Sequence, residues 1–147
     1  MVTPHHSKGA RITLGSDAPV ESPDPLVTFH AAVTRVNAAG DSPQGPGGWY
    51  PDQKLTREEA LRGQSSRHLP PIGHRLRSTA DSSNSKGMTI DAAYASFSED
   101  QVGSLVVGKK ADFVVLDQDI MTIDASLILK AKVLATVVDG VVQYGSL

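Results

Sequence analysis

The chain contains no cysteine. That excludes disulfides, thiolate metal sites and cysteine nucleophiles, and it is compatible with a reducing compartment. Aromatic residues are 5% of the 147 and apolar residues 39%, so any core has to be aliphatic and modest. No apolar run approaches the ~18 residues of a membrane-spanning helix. Residues 1–8, Met-Val-Thr-Pro-His-His-Ser-Lys, have none of the apolar core of a secretory leader. A formal net charge of -2 supplies no basic field for nucleic acid. These absences predict a soluble cytoplasmic chain of one ordinary domain, without nucleic-acid or membrane partners.

What the sequence does contain is concentrated in its last third. Phe113–Leu116 and Val133–Val138 are dense in β-branched residues and read as buried strands. Asp139-Gly140 stands between Val137-Val138 and Val141-Val142, and a two-residue loop with positive φ at both positions suits Asp-Gly, so a hairpin is predicted. Val133, Ala135 and Val137 alternate with Leu134, Thr136 and Val138; both faces are apolar, so cover is expected on both sides. Gly108-Lys109-Lys110 reads as a turn, Ile120–Asp124 as a stretch that pairs briefly, and Ser126–Lys130 as a short helical turn.

Upstream, Ala10–Leu14 alternates like a short strand and runs into Asp17. A carboxylate just past the C-terminal end of a strand is where α/β enzymes place catalytic groups. Read locally, the same side chain bonds loop amides. Asp24 and Pro25 open a helix, as cap and first residue. Leu26, Phe29, Val33 and Val36 or Asn37 form its apolar stripe, with an end expected near Gly40 and His30 beside the stripe, partly exposed and structural. Pro43, Gly45, Pro46 and Gly47 mark a loop, pinned by Trp49-Tyr50-Pro51.

Thr56 and Glu59 form a capping box for a second helix. Residues 63–88 break it. That stretch holds six serines with Arg67, Arg75 and Arg77 and lacks the apolar residues to offset its ordering entropy, so it is expected to be a disordered insertion. Its arginines read as solvated charge. Ile90, Ala93, Tyr94 and Phe97 then resume a helical period. One account of the insertion is translated non-coding sequence.

Seven motifs carry a resemblance. They are Gly-Ser-Asp-Ala-Pro-Val (15–20), Asp-Pro-Leu (24–26), Ala-Ala-Val-Thr-Arg (31–35), Leu-Thr-Arg-Glu-Glu-Ala-Leu (55–61), Thr-Ile-Asp-Ala-Ala-Tyr-Ala-Ser-Phe (89–97), Gly-Ser-Leu-x-x-Gly-Lys-x-Ala-Asp-Phe-Val-Val-Leu-Asp (103–117) and Val-x-x-Thr-Val-Val-Asp-Gly (133–140). Together they resemble the C-terminal part of the amidohydrolase superfamily, in its family-3 branch of N-substituted formamide deformylase-like proteins.

The resemblance implies a metal-dependent hydrolase of non-peptide C–N bonds, with small amide-type substrates, a (β/α)8 barrel and a small flanking β-sandwich. It also implies a divalent metal, zinc foremost, and places Asp17 at the end of the eighth strand as metal ligand and proton acceptor. A barrel needs ~200 residues or more, so the expected architecture is α+β. Residues 1–62 and 89–101 are a remnant of the barrel's C-terminal end, 63–88 the insertion and 102–147 a small sheet. A catalytic zinc wants about three protein ligands plus water. His5 and His6 are adjacent and face opposite sides of any strand, and His68 and His74 fall in the insertion. The expectation is therefore an inactive fragment that holds no metal alone. Two alternatives stand beside it. One is a non-catalytic partner that docks with a separately encoded N-terminal half; the other is a gene-model fragment without stable function.

Overall fold

The computed structural model describes residues 13–62 and 89–147. Three α-helices, two 3-10 turns and three strands follow one another: α1 (Pro25–Thr34), a turn at Pro51–Gln53, α2 (Arg57–Arg62), α3 (Asp91–Ala95), β1 (Phe113–Leu116), a turn at Ala125–Lys130, β2 (Val133–Val138) and β3 (Val141–Gly145). The class is α+β, with one antiparallel sheet in the order β1-β2-β3. No described helix is long and apolar enough to cross a membrane. The alternating segment at Ala10–Leu14 falls largely outside the described residues, and Thr13 and Leu14 carry no strand. The insertion read at 63–88 lies wholly outside them.

Local chemistry sets the helix starts. The Asp24 carboxylate accepts the Leu26 amide at 2.9 Å, with Pro25 at the first helical position. The capping box is closed in both directions: Glu59 N–H donates to Thr56 Oγ1 at 3.1 Å and Thr56 N–H to Glu59 Oε2 at 2.9 Å. Each supplies a partner to an amide that the helix leaves open.

Helix α1 stops at Thr34, short of the Gly40 expected from the sequence. Arg35 adopts the left-handed conformation, φ 62°, and its N–H returns to the Ala31 carbonyl. Trp49 N–H then takes the Arg35 carbonyl at 2.8 Å, so the chain leaves the helix to meet a residue fourteen positions on. Helix α3 also ends early. Phe97 has φ 57° and is 91% exposed, while Ser98 N–H and the Ser96 hydroxyl close on the Ala93 carbonyl. The expected stripe therefore splits: Ala93 is buried and Phe97 is not.

Phe29, Ala60 and Ile128 are completely buried and pack as one cluster, ringed by Leu14, Val33, Leu55, Leu61, Ile120 and Met121 among others. It joins α1, α2 and the 3-10 turn before β2. Two bonds fasten the joint: Leu55 N–H to the Ala32 carbonyl at 3.0 Å, and Arg57 Nη1 to the Ile120 carbonyl at 2.8 Å. Ile120–Asp124 does not pair as a strand. The Asp119 carbonyl accepts Thr122 and Ile123 amides and its carboxylate accepts the Met121 amide, which curls the segment into a turn.

The hairpin forms where expected, with Asp139 at φ 52° and Gly140 at φ 75°. In the register, Phe113 faces Val137, Val115 faces Ala135 and Val142 faces Val137. Cross-strand partners share a face, so these residues make one side of the sheet, where Ala135 and Val137 are buried. The other side is open: Val114, Val138, Val141 and Tyr144 are all exposed, and Leu134, also exposed, falls at a register shift between β1 and β2. The two-sided cover expected from the sequence is thus present on one side among the described residues. Alternation reports which side chains share a face, and tertiary packing decides whether that face is covered.

Phe29→Ala empties the centre of the cluster and is expected to lower unfolding free energy by about 3–5 kcal/mol. Urea denaturation of the variant against the parent measures it.

Candidate functional site

Asp17 is placed by its neighbours on either side. Leu14 packs on the central cluster, and the chain then turns over residues 17–20. The Asp17 carbonyl accepts the Val20 amide at 2.9 Å, and the Ser16 carbonyl accepts the Glu21 amide at 3.1 Å. Asp17 has φ 48°, a conformation that short polar side chains tolerate better than most. Its side chain is exposed and makes no hydrogen bond among the described residues, so it bonds none of the described loop amides. It points a carboxylate at solvent just before α1 begins.

Other carboxylates have structural roles. Asp117 accepts the Lys132 amide and Asp112 the Asp139 amide, both at 2.7 Å, tying the ends of β1 to β2. Asp124 caps the turn that begins at Ala125; the hydroxyl and amide of Ser126 hold its carboxyl below the usual carboxylate range.

His30 is buried, 6% exposed, where the sequence suggested partial exposure. It sits beside Phe29 on the inward part of α1, and loss of hydration holds its imidazole below the ordinary value of 6.5. Among the described residues no three His, Asp or Glu side chains come together. His5, His6, His68 and His74 lie outside the described residues.

A groove of about 430 Å³ lies at the far end of α1 from Asp17, lined by Ala31, Arg35, Val36, Asp41, Pro43 and Trp49 among others. Arg35 Nε donates to the Trp49 carbonyl at 2.8 Å, and its guanidinium carbon is 5.5 Å from the indole centroid. Gly48 permits the approach, since a Cβ there would stand 2.5 Å from the Thr34 carbonyl. Trp49 and Tyr50 are 48% and 50% exposed, so hydrogen bonds and a cation–π contact anchor this loop in place of aromatic burial. Periodicity offered no signal for this groove, because it depends on two residues from different segments. Its lining carries both the Arg35 cation and the Asp41 carboxylate at a helix C-terminus, whose carbonyl dipoles favour cations, and no single ligand charge suits it.

Comparison with known proteins gives the family. The model of the amidohydrolase family, Amidohydro_3, matches residues 6–68 and 86–144. An N-substituted formamide deformylase of Arthrobacter pascens is 30% identical over 136 residues, 92% of this chain and 20% of that protein. Protein LONG AFTER FAR-RED 3 of Arabidopsis thaliana is 32% identical over 135 residues, 92% of this chain and 18% of that protein. The chain therefore spans about a fifth of the length of these curated relatives. No solved structure is significantly similar.

The burial of His30 generates a pH prediction. Above pH 6.5 the imidazole is neutral whether the chain is folded or not. As pH falls below 6.5 the unfolded chain takes up a proton that folded His30 resists, so stability is lost in that window until the folded group titrates in turn. Denaturation midpoints between pH 8 and pH 5 should fall less in His30→Leu than in the parent.

Proposed function

The chain belongs to the amidohydrolase family, and from that premise we propose that it carries the C-terminal part of a hydrolase acting on carbon–nitrogen bonds other than peptide bonds, and that it does not hydrolyse amides by itself. The match to a formamide deformylase over nearly the whole chain supports the reaction class. In this reading the turn bearing Asp17 and the helix after it are the last strand–helix unit of a (β/α)8 barrel, and β1–β3 belong to the flanking sandwich.

The observation that carries the second half of the proposal is the isolation of Asp17. A divalent metal would supply an activated water at neutral pH, but its retention takes about three protein ligands. Asp17 is exposed and has no His, Asp or Glu cluster around it among the described residues. This donor set does not fit the metal. What the described residues contribute is one carboxylate on the turn before α1, able to accept a proton from a water that other residues would have to bind and orient.

A second reading, a non-catalytic partner that docks with a separately encoded N-terminal half, is favoured by a particular surface. Leu105, Val106 and Val107 are 71%, 60% and 103% exposed, an apolar run of the kind that marks a contact. A native preparation containing a stoichiometric histidine-bearing polypeptide that confers zinc binding and amide turnover would bear this out; a chain isolated without one counts against it.

The primary test is an assay of zinc-supplemented protein on N-acyl and formamide substrates. No turnover above that of Asp17→Asn is expected. Turnover that the substitution abolishes would overturn the proposal.

A further inference from the structure

Asp139-Gly140 shapes the hairpin, and it also carries a reactivity of its own. Asp139 is the one aspartate of the chain that precedes a glycine, and Asn37 and Asn84 precede alanine and serine. Glycine has no Cβ, so no side chain shields the Asp139 carboxyl from attack by the nitrogen of the next residue. The structure holds the two reacting groups unequally. The carboxyl is loose: its side chain is 65% exposed, and the cation beside it, Lys110 Nζ at 3.5 Å from Oδ2, belongs to a side chain 48% exposed, a pair of little strength. The nitrogen is fixed. Gly140 N–H donates to the Ala111 carbonyl at 3.0 Å, and Asp139 N–H donates to Asp112 Oδ1 at 2.7 Å. Two consecutive residues just ahead of β1 therefore clasp both amides of the turn.

We propose that Asp139 is a site of spontaneous conversion to isoaspartate, and that the Ala111–Asp112 clasp gates the conversion. The reaction needs only water. The Gly140 nitrogen attacks Cγ of Asp139 in its acid form; a C–N bond forms, a carboxyl C–O bond breaks, and the hydroxyl leaves with the amide proton as water. The five-membered imide then takes a water back. Cleavage of the new C–N bond restores aspartate. Cleavage of the original peptide bond leaves the chain running through Cγ, with the former main-chain carbonyl as a free carboxylate. While its N–H is bonded to Ala111, the Gly140 nitrogen can neither release its proton nor turn towards Cγ, so the reaction waits for the turn to lift away. Strand β3 is exposed along its whole length, and a segment with so little burial opens at lower cost than the whole fold. The product adds one carbon to the backbone of a two-residue turn, whose length fixes the pairing of β2 with β3.

Peptide mapping of the full chain after several weeks near neutral pH tests this. Isoaspartate is scored by methyl transfer from S-adenosylmethionine under an isoaspartyl methyltransferase, and the imide by a mass lower by one water. Isoaspartate is expected at position 139, forming at least about tenfold faster in urea than in native buffer. Asp112→Ala removes one arm of the clasp and should raise the rate in native buffer several-fold with an unchanged circular-dichroism spectrum. Should that variant not fold, the ratio of the parent's rates in urea and in buffer still decides. No isoaspartate at position 139 in urea overturns the proposal. So do equal rates in urea and in buffer, or a folded Asp112→Ala that reacts at the parent's rate. None of these outcomes depends on hydrolysis of an amide substrate, so the proposed function stands or falls separately.

Discussion

The contact among Phe29, Ala60 and Ile128 holds the described structure together. These three side chains come from helices and turns separated by tens of residues, and each is fully buried. Burying one large apolar side chain contributes about 1.5–3 kcal/mol, against roughly 1–2 kcal/mol of backbone entropy for every residue ordered. With so few fully buried groups, the gain depends on the ring around them. Leu14, Leu55 and Ile120 have to pack at the same time. That cooperativity also places the backbone near Asp17: Leu14 packs in the ring, and Asp17 opens the tight turn that follows.

The same constraint separates placement from chemistry. The core positions the backbone at Asp17 but sends the side chain outward, with no donor or cation to orient it among the described residues. Several other acids are occupied with the fold. Asp24, Asp112, Asp117, Asp119 and Asp124 each accept a backbone amide. A carboxylate so engaged is a cap, and its charge is spent on closing a turn or a strand end. Among the described residues, the Asp17 carboxylate is set apart from these acids by having no hydrogen-bond partner.

Features decided within a few residues were legible in the sequence. The Asp24 cap, the Thr56–Glu59 box and the Asp139-Gly140 turn each follow from groups close enough to bond without help from the rest of the fold. Features decided at a distance were not. The end of α1 depends on Arg35 meeting Trp49, and no period in residues 25–40 encodes it. Burial of His30 depends on what packs over α1, and a histidine beside an apolar stripe suits either outcome. Asp17 was legible as a position through the motifs around it, since Gly-Ser-Asp-Ala-Pro-Val marks the turn. Its lack of a His, Asp or Glu cluster among the described residues is a property of the assembled neighbourhood.

The sheet shows the same limit from the other direction. Period-two alternation makes both sides of β2 apolar, and the pattern is silent on which side the chain covers. The side with buried Ala135 and Val137 also carries Phe113, Val115 and Val142; the open side carries Val114, Val138, Val141 and Tyr144. An outer side so apolar departs from the arrangement expected of a sheet whose outer side meets only water. A tyrosine adds a hydroxyl to that side while keeping a large apolar ring, the combination enriched at contacts between proteins. The composition of the open side is thus that of an interior surface.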